Sequence, residues 1–114
     1  MKDIFGTEQL DEWIIENINN NNIILLYFGA VWCGPCKQLK EKLKNQDIMK
    51  TMPRLAVAHL DIEHTSNSNL VKRYKVKSLP TQVFVRLDKN KVIEHSRIEG
   101  YDFTKLKMEY DLLD

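Results

Sequence analysis

The chain has 114 residues, 43% apolar and 29% charged, with a net charge of +1, the profile of one small soluble globular domain over residues 1–114. A pI near 7.8 gives no overall argument for a polyanion partner. The longest apolar run, Ile23 to Phe28, is far too short to cross a bilayer, so neither nucleic acid nor membrane is expected as a partner.

Charge is unevenly spread along the chain. Residues 1–22 hold five acids, Asp3, Glu8, Asp11, Glu12 and Glu16, against Lys2 alone, whereas "KRYKVK", Lys72 to Lys77, has four bases in six residues. The opening "MKDIFGTEQLDEW" has no apolar h-region, and two cysteines do not make a disulfide framework. A cytoplasmic protein and a monomer are expected.

In chain order, a short strand is expected near Ile4 and Phe5. Thr7 can cap a first helix, in which Leu10, Trp13, Ile14 and Ile18 recur at helical spacing. The asparagine-rich Asn17–Asn22 ends it, and its low complexity reads as a solvated loop. "IILLYF" is a continuous apolar run, as in a strand buried on both faces. "PCKQLKEKLKNQDIMK", Pro35 to Lys50, predicts one amphipathic helix with Leu39 and Leu43 inward and Lys40, Lys42 and Lys44 outward; Pro53 forbids its continuation.

"RLAVAHLDI", Arg54 to Ile62, is a further strand. Ser66 or Asn67 can cap a short helix through Leu70, Val71 and Tyr74. "TQVFVRL" and "KVIEHSRI" flank "DKN" as a β-hairpin, and "YDFTKLKMEYDLL" closes as a helix on Phe103, Leu106 and Tyr110. The first half demands parallel strands with helical crossovers and the second adds antiparallel ones. An α/β fold follows, with a central mixed sheet of four to five strands between helices.

The chemistry lies in "LLYFGAVWCGPCK", which contains the only two cysteines, Cys33 and Cys36. A thiol attacks a disulfide only as thiolate. Cys33 falls where a buried strand yields to a helix, so unpaired backbone N–H groups face its sulfur. Pro35 suits the first helical turn, where its missing N–H costs nothing. Cys36 lies on the same side of that turn. An exposed, low-pKa Cys33 as nucleophile and a more buried Cys36 as resolver are expected. A metal site would need about four ligands; His59, His64 and His95 stand in no paired ligand spacing, so none is expected. Two inert structural cysteines are the remaining alternative, and Trp32, Gly34 and Pro35 around them count against it.

"WCGPCK", Trp32 to Lys37, resembles the active site of thioredoxins, and the order of elements is similar over nearly the whole chain. "SLPT", Ser78 to Thr81, resembles the family segment that holds a cis-proline beside the redox pair, and Gly100 resembles a glycine of its substrate groove. The resemblance implies a thioredoxin fold and a protein-disulfide reductase: Cys33 attacks a substrate disulfide, Cys36 releases the mixed disulfide, Leu79 and Pro80 pair with the incoming peptide, and Trp32 shields the site. It implies no cofactor beyond the Cys33–Cys36 disulfide, with protein disulfides as substrates and a thioredoxin reductase-like partner as electron donor. On residues alone, Pro80 is an ordinary proline at the start of a strand.

Four positions depart from that pattern. Tyr27 stands where thioredoxins carry a buried aspartate that helps take the proton from the resolving cysteine, and His59 where they carry its lysine partner. Gly29 replaces a tryptophan and Glu41 a helix-kinking proline. Tyrosine is a poor base at neutral pH and imidazole a good one, so His59 is a candidate for the missing carboxylate's task; a satisfied Tyr27–His59 pair without catalytic work is the alternative. The basic run, beside "SLP", is a candidate for steering acidic partners, against an ordinary solvated helix end. Two other function classes use the same residues: a binding or assembly module with incidental redox activity, and an oxidant or isomerase.

Overall fold

A computed structural model describes residues 1–114. The strands β1 (Lys2–Asp3), β2 (Ile23–Gly29), β3 (Leu55–Asp61), β4 (Thr81–Asp88) and β5 (Lys91–Glu99) form one sheet in the order β1-β3-β2-β4-β5. β3 runs parallel to both β1 and β2, and β4 is antiparallel to β2 and β5. This is the mixed α/β sheet that the sequence predicts. The helices are α1 (Thr7–Asn19), α2 (Gly34–Lys44), α3 (Gln46–Met49), α4 (Ser68–Arg73) and α5 (Phe103–Leu113).

β2 holds the centre because all seven of its residues are buried. Its alternating side chains feed two cores. Ile23, Leu25 and Tyr27 pack with Cys36, Leu39 and Leu43 of α2 and Leu106 and Tyr110 of α5. Ile24, Leu26 and Phe28 face Leu10 and Ile14 of α1 and Leu70 of α4. Each fully buried aliphatic side chain here contributes about 1.5–3 kcal/mol, so the sheet is clamped from both faces around the strand that leads into the cysteines.

Four local expectations are corrected. β1 lies at Lys2–Asp3 rather than Ile4–Phe5; Ile4 is fully buried below it, its N–H donating to the His59 carbonyl at 3.0 Å. Thr7 begins α1 without capping it, and Gly6 takes the cap position at φ 95°, where glycine is favoured. The helix expected over Pro35–Lys50 breaks at Asn45, whose extended backbone ends α2 and whose side chain accepts from the Ile48 N–H at 3.0 Å to start α3.

The fourth concerns Asn67, which occupies the cap position of α4 but makes no side-chain cap. It is fully buried and instead accepts from the Gly6 N–H and donates to the carbonyls of Ile4 and Asp61. It thereby ties the chain start to the end of β3. His64, not Ser66, opens the short 3₁₀ turn Thr65–Asn67, accepting from the Ser66 N–H.

Candidate active site

β2 ends at Gly29 and the chain turns through Ala30–Trp32 into α2, whose cap residue is Cys33. The Cys36 N–H donates to Cys33 Sγ at 3.2 Å, and the Lys37 N–H reaches the Cys33 carbonyl at 3.2 Å. Pro35 occupies the first turn, as its missing N–H allows. One turn of helix thus brings the cysteines to a Cα separation of 5.2 Å, where they form a disulfide. A sulfur at this position gains both a direct donor and the positive end of the helix dipole, and each favours its thiolate.

In this disulfide state Cys33 is not exposed, contrary to expectation. It is 5% accessible and Cys36 1%, because the linked sulfurs lie against the core that includes Ala30 and Leu39. The exposed groups of the loop are its neighbours Val31, at 75%, and Trp32, at 64%.

A groove of about 520 Å³ runs past the pair, lined by the Trp32–Pro35 loop and by Ile62, Val71, Val76, Lys77, Ser78 and Leu79. The Leu79–Pro80 peptide is cis, as the resemblance implies. Thr81 Oγ1 donates to the Ser78 carbonyl at 2.6 Å, and the Gly100 N–H to the Pro80 carbonyl at 2.8 Å. Gly100 has φ +87°, a conformation that favours glycine, and its carbonyl accepts from Gln82 Nε2 at 3.1 Å. These bonds hold the 78–81 segment in place, while the Leu79 backbone N–H and carbonyl make no hydrogen bond within the chain.

Five-stranded sheet order, helices on both faces, a Cys-Gly-Pro-Cys helix start and a cis-proline segment beside it are now in place. The thioredoxin family model matches residues 7–107. The chain belongs to the thioredoxin family.

Among thioredoxin relatives, thioredoxin-1 of Drosophila melanogaster is 37% identical over 67 residues, covering 59% of this chain and 60% of that protein. The thioredoxin of Chlamydia pneumoniae is 30% identical over 103 residues, 90% of this chain and 91% of its own. The matched stretch therefore spans about 60% of the length of the Drosophila relatives. The X-ray structure of Fasciola hepatica thioredoxin superposes with a TM-score of 0.80 at 28% identity, covering 100% of both chains.

On this thioredoxin frame the unusual pair lies where the sequence places it. Tyr27 and His59 are register partners on β2 and β3, with ring centroids 4.9 Å apart and planes inclined by 30°. Their polar atoms nevertheless find separate partners. The Tyr27 hydroxyl donates to the Cys36 carbonyl at 3.1 Å, and burial pushes its pKa up to about 12. His59 Nδ1 lies 2.9 Å from Asp3 Oδ1. The hydrogen bond from His59 chiefly holds the Asp3 carboxyl below its ordinary value; partial burial opposes it, and the charges of His59, Lys40 and Lys44 add to it.

Gly29 explains how a tyrosine fits. A Cβ at position 29 would lie 2.8 Å from the Tyr27 hydroxyl and 2.9 Å from its ring, closer than real Cβ contacts come. A second cavity of about 250 Å³, lined by Tyr27, Ala30, Val31, Cys36, Lys37, Lys40, His59 and Asp61, lies beside Cys36.

Sequence reasoning found Tyr27, His59 and Cys36 but missed Asp3. Asp3 and His59 are 56 residues apart, and only the parallel β1–β3 pairing brings them together. Asp61, on the same face of β3 two residues beyond His59, was legible in principle from strand alternation.

Proposed function

We propose that the protein is a thiol–disulfide oxidoreductase that reduces protein disulfides. The observation that carries this is the Cys33–Cys36 disulfide at the start of α2, opening on a groove whose Leu79 backbone is unpaired. In the reduced form, the Cys33 thiolate attacks one sulfur of a substrate disulfide. A Cys33–substrate disulfide forms, and the other substrate sulfur leaves with the electron pair of the broken bond and takes a proton. Cys36, as thiolate, then attacks Cys33 Sγ. The Cys33–Cys36 bond forms, and the second substrate sulfur leaves as thiolate.

In this proposal the unpaired Leu79 N–H and carbonyl hydrogen-bond an extended substrate segment, in the manner of strand addition. Pro80, held by Gly100, fixes that edge beside the sulfurs, and exposed Trp32 covers the mixed disulfide from water. The two electrons return from a partner reductase. The compartment we propose is the cytoplasm, because the chain's two cysteines are both in the redox pair and reducing surroundings keep such a pair in use.

The test follows thiol release from insulin by the reduced protein in single turnover. Cys33→Ser is expected to abolish release, and Cys36→Ser to stop at a covalent protein–insulin adduct visible by mass spectrometry. Undiminished release by Cys33→Ser would overturn the assignment.

A further inference from the structure

The second step above asks a nearly inaccessible thiol to give up its proton, since Cys36 is 1% exposed. Burial in apolar surroundings disfavours the thiolate, so an accepting group within reach matters. The phenol nearest to Cys36 is unsuitable. The Tyr27 hydroxyl is committed as a donor to the Cys36 carbonyl, and a phenol held above its ordinary range by burial keeps its own proton at neutral pH.

One cavity joins Cys36 to other titratable groups. It is lined by Cys36, Tyr27, Lys37, Lys40, His59 and Asp61. At about 250 Å³ it has room for several water molecules, each of which occupies about 30 Å³ in the liquid. The imidazole in its wall is oriented, not free. His59 Nδ1 lies 2.9 Å from Asp3 Oδ1, and a carboxylate can only accept, so Nδ1 carries the hydrogen and Nε2 is the nitrogen left to receive a proton.

We propose that Asp3 and His59 form a dyad that draws the proton from Cys36 through water in this cavity during release of the mixed disulfide. This deepens the oxidoreductase reading and rests on it. His59 Nε2 takes the proton relayed from the Cys36 thiol. The Cys36 thiolate forms the bond to Cys33 Sγ while the Cys33–substrate bond breaks, and the departing substrate thiolate recovers the proton from the imidazolium or from solvent. Asp3 acts through His59 as a positioning residue. The titratable and charged groups around the imidazole come from each neighbouring element: Asp3 from β1, the neutral Tyr27 phenol from β2, Asp61 from β3, and Lys37, Lys40 and Lys44 from α2. Asp61 is the rival acceptor; one of its carboxylate oxygens already accepts the Glu63 N–H at 3.0 Å.

The test uses stopped-flow mixing of the fully reduced chain with the aromatic disulfide 5,5′-dithiobis(2-nitrobenzoate). Attack by Cys33 releases a first coloured thiolate, and resolution by Cys36 releases a second. Across pH 5 to 9, the wild-type second phase is expected to accelerate through the range in which imidazole titrates, near 6.5. His59→Gln is expected to lose that rise and to slow the second phase about tenfold at neutral pH, a modest value for general-base catalysis through water. Asp3→Asn, at an exposed carboxylate, is expected to slow the second phase and leave the first unchanged, because the imidazole then loses the charged acceptor that fixes its Nδ1 hydrogen.

A His59→Gln profile that matches wild type overturns the proposal, as does loss of the rise in Asp61→Asn instead. If His59→Gln fails to fold, an Asp3→Asn profile identical to wild type overturns the dyad. Absence of the first phase in the wild type overturns the oxidoreductase reading itself, so the two failures are separable.

Discussion

The Tyr27 side chain is 2% accessible, yet its hydroxyl is satisfied by the Cys36 carbonyl at 3.1 Å. Removing the hydroxyl in Tyr27→Phe leaves the ring in the core and deletes one buried hydrogen bond, a loss of about 1 kcal/mol. Denaturant unfolding should show that loss near pH 7. The phenol's pKa, raised by burial from 10.0 to about 12, adds a second signature. Between those values the unfolded chain has released a proton that the folded chain still holds, so wild-type stability falls as pH rises from 10 towards 12. Tyr27→Phe should lose that part of the alkaline slope; an identical slope would mean that the phenol is not buried in solution.

Among the elements, the break between α2 and α3 is the most open to measurement. Asn45→Ala removes the acceptor for the Ile48 N–H and should cost about 1 kcal/mol in denaturant unfolding, the usual loss for a helix cap. A cost near zero would mean that α2 runs on through the junction. Long elements were legible because burial writes itself into their composition: the continuous run Ile23–Phe28 could only be a strand with both faces covered, and Leu39 and Leu43 marked the buried stripe of α2. The Asn45 junction was not, because a single asparagine within a lysine-rich amphipathic stretch does not interrupt the pattern. β1 was misplaced because two exposed residues carry no periodicity. In the site, the redox pair and the Tyr27–His59 neighbours follow from spacing and parallel register. Asp3 does not, since only tertiary pairing across 56 residues brings it to His59.

For the molecule as a whole, charge around the groove is a candidate for steering acidic partners. Part of the basic run is structural: Arg73 lies 3.7 Å from Asp11, and Arg97 donates to the carbonyls of Tyr74 and Lys75. Lys72, Lys75 and Lys77 are exposed and make no salt bridge, and Lys77 borders the groove. Reduction of an acidic protein disulfide should therefore slow as salt rises from 10 to 200 mM, because the screening length contracts from about 30 Å to below 10 Å. Replacing the three lysines with glutamine should flatten that dependence, and a rate indifferent to salt in the wild type would rule out steering. The sheet edge at β5 has a different consequence. Its outer side is an open row of nine residues, a template on which a stray strand could grow an aggregate. Lys91, Glu94, His95, Arg97 and Glu99 make that strand rich in polar and charged residues, and a bulge opposite Phe84 and Val85 disturbs its register. With the strand addition proposed at Leu79, the chain would admit extended partners beside the sulfurs, while its longest free edge is unwelcoming to strands.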